Sequence, residues 1–307
     1  MSDLEPMDLL ELREAVAAEL AQRRGDALYD LTGEVHCRAS LGLPLGDRQA
    51  WAERIIAHRD ERGGFDGGDG PGHALHMVLG ALNLLGVPIP PDLGPLAPTD
   101  PTALREWLAH HDWQSTHKEL CGQTIPLLAS GRVGAAWIAA FTDEITARLD
   151  PVDPRRTWCE PDDPPWRVIS CVYHVLSAFD AGRLPYPNPD LLIDRLLGLR
   201  WDRAADDEHR TVCTDGDWAL LLLRLIEHRP AIARDAIAAI RRVSARRVRQ
   251  WYERRDELFA VSNHHLFCYL WVTAVFQSAV REHYHGGLAI WDTLNEPALY
   301  RMHDCAQ

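Results

Sequence analysis

The chain carries one lysine, Lys118, so arginine supplies nearly all of its positive charge. It also lacks any C-x-x-C pair. Its seven cysteines (Cys37, Cys121, Cys159, Cys171, Cys213, Cys268 and Cys305) are odd in number and widely scattered. That pattern speaks for reduced, buried thiols rather than a disulfide framework. No stretch approaches the roughly 18 uninterrupted apolar residues of a membrane span. The opening residues have neither the basic n-region nor the apolar core of a secretory signal. Low-complexity tracts are missing, and so is any sustained period-two alternation. These absences lead to the expectation of a soluble, cytoplasmic, all-α protein without a membrane span.

Positive charge is in deficit as well. The formal net charge of −13 argues against nucleic acid or an anionic membrane surface as the main partner. One basic stretch runs against that balance: Arg241, Arg242, Arg246, Arg247, Arg249, Arg254 and Arg255. It reads as the solvated face of a long helix, with a docking site for phosphate or an acidic partner as the alternative. Nothing indicates a nucleotide cofactor.

What is present is a repeating helical grammar. Apolar residues recur at helical spacing along most of the chain. Gly63-Gly64-Phe65-Asp66-Gly67-Gly68-Asp69-Gly70-Pro71-Gly72 is a glycine-rich turn that runs into an apolar helix from His73, stopped by Gly86. The same order recurs at Asp112-Trp113, ending at Gly131, and at Pro164-Pro165-Trp166, ending at Gly182. It returns at Asp217-Trp218, ending before Pro230, and at His264-His265, ending at Gly286-Gly287. The leading positions 72, 113, 166, 218 and 264 are 41, 53, 52 and 46 residues apart. More amphipathic helices lie between: Thr102 to His110, Val133 to Leu149, Pro189 to Leu199, and Pro230 to Leu258. Such a period means stacked helical hairpins. Strongly apolar helices alternating with amphipathic ones favour inner and outer rings over an open superhelix. The expectation is one α/α-toroid domain over 1–307, built of about six hairpins, with 1–45 as an N-terminal hairpin.

In such a ring the inner helices run parallel and their N-terminal ends gather at one mouth, where the helix dipoles favour anionic groups. The mouth would carry His73, His76, Asp112, His117, Glu160-Pro161-Asp162-Asp163, Asp215, Asp217, His264 and His265. Trp113, Trp166 and Trp218 would line its walls.

The glycine-aromatic turn at Gly63 to Gly68 resembles repeats of the protein prenyltransferase β-subunits and terpene cyclases, both α/α toroids. Asp215-Gly216-Asp217-Trp218 is similar to the D-x-C zinc-ligand motif of the prenyltransferases. His264-His265-Leu-Phe-Cys-Tyr-Leu is similar to the segment carrying their histidine ligand. The resemblance implies a metal held by Asp215, Asp217 and His265. Asp217 stands where the family has a thiolate, a harder set that would suit Zn²⁺, Mg²⁺, Mn²⁺ or Fe²⁺. Glu160-Pro161-Asp162-Asp163 resembles the D-x-D-D general-acid motif of class II terpene cyclases, with Glu160 in place of the first Asp. By that likeness Asp162 and Asp163 are candidate proton donors. The resemblance also implies a possible helical partner subunit, with a homo-oligomer as the alternative.

Each cluster has a plainer reading as well. Asp215 and Asp217 can serve as cap and first-turn acids, and Ser262-Asn263 can cap the helix that carries the histidine pair. Three functions follow. The first is an enzyme with an aromatic-lined cavity for an isoprenoid or similarly apolar small molecule, performing cyclisation or prenyl transfer. The second is a glycan hydrolase or lyase with paired carboxylates. The third is a non-catalytic helical-repeat scaffold.

Overall fold

The structure is a computed structural model that describes residues 5–23, 25–67, 70–88, 90, 94, 96–149, 158–160, 162–204 and 211–293. Gly68, Asp69, Pro161 and Cys305, all singled out in the sequence, lie outside the described residues. The protein is all-α. Twelve α-helices are present among the described residues, and the β-structure is one pair of two-residue strands.

Odd-numbered helices are α1 (Leu9–Gln22), α3 (Arg48–Ile56), α5 (Pro101–Ala109), α7 (Ala135–Thr146), α9 (Pro189–Gly198) and α11 (Ala233–Phe259). Even-numbered ones are α2 (Leu28–Ser40), α4 (Pro71–Leu85), α6 (Lys118–Ala129), α8 (Pro165–Gly182), α10 (Val212–Leu225) and α12 (Asn263–Ala279). Their starts follow capping chemistry. Asp8, Asp47, Asp100, Thr211 and Ser262 each accept a hydrogen bond from a first-turn N–H. Pro71, Pro101, Pro165 and Pro189 occupy first helical positions, where a missing N–H costs nothing. Gly86 ends α4 in the left-handed region at φ 66°.

The even helices are the buried ones, as their near-continuous apolar runs predict. Their contacts form a closed circuit: α2 packs on α4, α4 on α6, α6 on α8, α8 on α10, α10 on α12, and α12 returns to α2. Two of these contacts depend on glycine. A Cβ on Gly122 of α6 would sit 1.8 Å from the Gly72 carbonyl oxygen of α4. A Cβ on Gly33 of α2 would lie 2.6 Å from the backbone of Asn263 and His264 on α12. Backbone meets backbone at both places, so no side-chain movement could make room. Among the odd helices, α3 lies on α2 and α4, α9 on α10, and α11 on α10 and α12, while α5 and α7 pack on each other. Strands β1 (Met7–Asp8) and β2 (Tyr284–His285) pair in parallel, tying the chain ahead of α1 to the segment after α12.

Three helix boundaries differ from the sequence reading. Helix α6 begins at Lys118 rather than near Asp112, because His117 takes a left-handed turn at φ 58° just before it. The last apolar helix stops at Ala279, and a 3-10 turn at Arg281–His283 and then β2 fill the interval to Gly286. Helix α10 starts at Val212, five residues before the expected Asp217, because the Thr211 hydroxyl caps it. That last shift rearranges the candidate site.

Candidate functional site

The leading turns of five even helices line one cavity of about 640 Å³. Each helix contributes a stripe at i, i+3 and i+4 spacing, as its geometry requires. The stripes are His73, His76 and Met77 from α4, and Lys118 and Cys121 from α6. Helix α8 gives Trp166, Ser170, Tyr173, His174 and Ser177. Helix α10 gives Cys213, Thr214 and Asp217, and α12 gives His264, His265, Phe267, Cys268 and Trp271. Tyr29, near the start of α2, closes the sixth side: its hydroxyl lies 2.6 Å from His73 Nδ1 and its ring stacks on His264 at 4.7 Å. The N-terminal ends of five even helices therefore meet here, and their dipoles add a partial positive charge.

Asp217 is the one carboxylate among the described lining residues. Its side chain is buried, and that desolvation, with the nearby Cys213 sulfur as a second cause, pushes its pKa well above the usual carboxylate range. Lys118 pulls the other way without reversing the result. Burial thus favours the protonated form of Asp217, the form able to donate a proton.

The histidines are shifted in the opposite sense. Burial brings His76 down to about 4 and His174 to about 3, with the Lys118 charge adding to the effect on His174. His73 lies well below its ordinary value for the same two reasons, burial first. These rings are neutral bases at pH 7. His174 Nδ1 sits 2.7 Å from the Ser170 carbonyl oxygen, so Nδ1 carries the proton and Nε2 keeps a lone pair. An acid whose burial favours its protonated form and neutral bases thus share one enclosure, walled by Trp166, Tyr173, Phe267 and Trp271.

No known family, characterised protein or solved structure matches the chain.

The structure gathers part of the sequence-predicted set. His73, His76, Trp166, Asp217, His264 and His265 all line the cavity. Asp215 does not. Because α10 starts at Val212, Asp215 and Asp217 are two residues apart within a helix, about 200° around its axis. Asp215 faces the opposite way and is fully buried. Its Oδ1 accepts from the Trp201 indole at 2.7 Å, and its Oδ2 accepts from Arg247 Nε at 2.6 Å. His265 sits against the capping hydroxyl of Ser262, 2.8 Å from Nδ1. With both Asp215 oxygens committed, Asp215, Asp217 and His265 do not fit as one metal-ligand set. No group of three His, Cys, Asp or Glu among the described residues has metal-holding geometry.

Other expected members lie elsewhere. Trp218 is buried away from the cavity and donates its indole N–H to the Leu196 carbonyl of α9. Trp113 packs between His111 and the Arg148 guanidinium. His117, one residue ahead of α6, has Nε2 2.9 Å from the Trp158 carbonyl and Nδ1 3.1 Å from His111. Asp163 is ion-paired to Arg167 at 2.9 Å and accepts from the Glu160 N–H, while Asp162 is exposed. Neither Asp162 nor Asp163 lines the cavity.

The basic stretch on α11 resolves into ion pairs: Arg241 with Glu282, Arg242 with Asp202, Arg247 with Asp215, Arg254 with Glu257 and Arg255 with Glu11. Five of the seven arginines are thus paired, and Arg246 donates to the Asp202 and Ala204 carbonyls.

Sequence reasoning missed Lys118, Cys213, His174, Cys268 and Trp271 as cavity residues. Two signals could have found some of them. Lys118 is unique in the chain, and His264 and Cys268 are four apart, on one face of their helix.

Proposed function

We propose that this protein is an enzyme whose cavity receives an isoprenoid or similarly apolar, unsaturated small molecule, and that Asp217 starts the reaction by protonating it. One observation carries the reading: a buried carboxyl, its pKa raised by desolvation, is the sole described carboxylate in an aromatic-walled cavity. The volume of about 640 Å³ is in the range of small-molecule sites. Protonating an alkene calls for an un-ionised acid shielded from water, and the burial of Asp217 favours that form. The positive charge formed on carbon would be stabilised by the faces of Trp166, Tyr173 and Trp271. A neutral histidine, with His174 Nε2 the best placed by its tautomer, would accept the proton lost at the end of the cyclisation.

The closed circuit of even helices supports reading the architecture as an α/α toroid with an inner and an outer ring. A glycan-processing enzyme would need two carboxylates across the mouth, and the described lining offers one.

The test offers linear polyprenyl compounds of graded chain length to wild type and to Asp217→Asn, and analyses extracts by gas chromatography with mass spectrometry. Cyclised products from the wild type alone support the reading. Absence of product, together with absence of saturable quenching of tryptophan fluorescence by the same compounds, would overturn it.

A further inference from the structure

The reaction outlined above leaves three thiols in the cavity wall unused, Cys121 of α6 and a pair on α10 and α12. Cys213 on α10 and Cys268 on α12 both line the cavity, and both are free. Their placement follows from how the two helices cross. Gly216 marks the closest approach, where a Cβ would lie 2.5 Å from Val272 Cγ2 and 2.8 Å from the Trp271 ring. Cys213 is three residues before Gly216, and Cys268 is three and four residues before Trp271 and Val272. One turn nearer the mouth on each helix, the two side chains therefore face one another across the α10–α12 contact, near enough for each thiol to shift the pKa of the other. A disulfide needs close Cα atoms with converging Cβ vectors, and a glycine crossing one turn away is what brings two helix backbones near each other.

The two sulfurs are not equivalent. Cys213 is half-buried at the helix start, and Cys268 is buried behind it with its Sγ 3.7 Å from His264 Nε2. The neighbouring Cys268 thiol is the first cause that lowers the Cys213 pKa; burial opposes it, and the charges of Lys118 and Arg247 lower it further. Cys268 moves the other way, through the neighbouring Cys213 thiol and by its own burial. A more exposed, thiolate-favoured sulfur backed by a second thiol is the arrangement of an oxidisable pair.

We propose that Cys213 and Cys268 form a disulfide-forming site in the cavity wall, oxidised by hydroperoxides that enter the cavity. The Cys213 thiolate attacks the O–O bond, forming a sulfenic acid and releasing hydroxide, which takes up the proton the thiol had lost and leaves as water; with an organic hydroperoxide the leaving group is the alcohol. The Cys268 sulfur then attacks the Cys213 sulfur. The S–O bond breaks, the S–S bond forms, and the departing oxygen leaves as water with the Cys268 proton. In sum, two thiols and one peroxide give one disulfide and two waters. The new bond would pin α10 to α12 beside Asp217, which makes the state of the cavity depend on oxidant.

The experiment uses the full chain. Reduced protein is treated with stepwise hydrogen peroxide, remaining thiols are alkylated, and non-reduced tryptic peptides are mapped by mass spectrometry. Trypsin places Cys213 on the 211–224 peptide and Cys268 on the 256–281 peptide, so the cross-link has a unique mass. The expected result is a 211–224/256–281 species that grows with oxidant, disappears with dithiothreitol and is lost in both Cys213→Ala and Cys268→Ala. Over-oxidation of Cys213 with Cys268 still alkylated would overturn the proposal. A cross-link confined to the other neighbouring pair, Cys159 and Cys171, would overturn it equally. The wild-type map alone decides, so the outcome does not depend on either variant folding.

Discussion

Arg247 on α11 donates its Nε–H to Asp215 Oδ2 on α10 at 2.6 Å, with both side chains nearly sealed from solvent. The Trp201 indole completes the carboxylate, and Gln250 and the Thr211 carbonyl accept from the guanidinium. Removing one partner strands a buried charge, which typically costs about 3–5 kcal/mol. Asp215→Ala and Arg247→Ala should each lose stability on that scale in urea denaturation. Asp215→Leu combined with Arg247→Met should lose much less than the sum of the single changes. An additive pair would show that the contact carries no coupling.

Asp217 should make stability fall as pH rises. Its folded pKa is raised, chiefly by burial, above the ordinary value near 3.8. Below that value both states hold the proton and the fold keeps its full stability. Above it the unfolded chain releases the proton while the fold retains it, so stability declines up to the folded value at about 1.4 kcal/mol per pH unit. Asp217→Asn should be flat by comparison and more stable near neutrality, while losing any product formation. Parallel pH profiles for the two proteins would remove the basis for a neutral acid.

The buried histidines impose the opposite limit. Burial lowers His36 and His174 to about 3, and His76 and His117 to about 4, from 6.5. Their contribution is fully present above 6.5. It is lost as pH falls through that window, because the unfolded chain takes up protons that the fold refuses. Each group adds a slope of about 1.4 kcal/mol per pH unit. The double variant His36→Gln/His174→Gln should be visibly less acid-sensitive than wild type in denaturation curves taken between neutral pH and about 4. An unchanged slope would mean that these rings ionise freely in the fold.

Gly122→Ala tests the α4–α6 contact. The added methyl would meet the Gly72 carbonyl at 1.8 Å, so the backbones must separate. Overpacking costs commonly run to about 3 kcal/mol, and this one should reach that figure or exceed it. The control Gly134→Ala, where a Cβ meets nothing within 4 Å, should shift the thermal midpoint little. Equal midpoints for the two variants would count against the close crossing.

The alternation of apolar and amphipathic helices was legible in the sequence because burial on one face or on all faces writes a different pattern. Where each helix began was less so. Opening that helix at Asp217-Trp218 left Asp215 in the lead-in chain, where two carboxylates could converge on a metal, whereas the Thr211 cap draws both into the helix. The five-residue difference turns them to opposite faces. Burial was the other hidden quantity. The acid cluster at Glu160 to Asp163 looks strong by composition, yet ion pairing and exposure occupy it, while a single Asp beside Cys213 has its pKa raised by burial. Trp113 and Trp218 illustrate the same limit: a tryptophan's size predicts that it packs, not which side of its helix it packs on.

The contact between α2 and α12 also has a kinetic consequence. Gly33 and Asn263 touch at that contact, yet they are 230 residues apart in the chain. Local hairpins can form as they are synthesised, but the last join must wait for the far partner. At ribosomal rates of about 5–20 residues per second, α2 spends roughly ten to fifty seconds with one apolar flank uncovered. The cavity has no complete wall during that interval. The newborn chain's exposure to aggregation is therefore set by a single delayed contact, and a chaperone would find its target on the flank of α2 that α12 later covers.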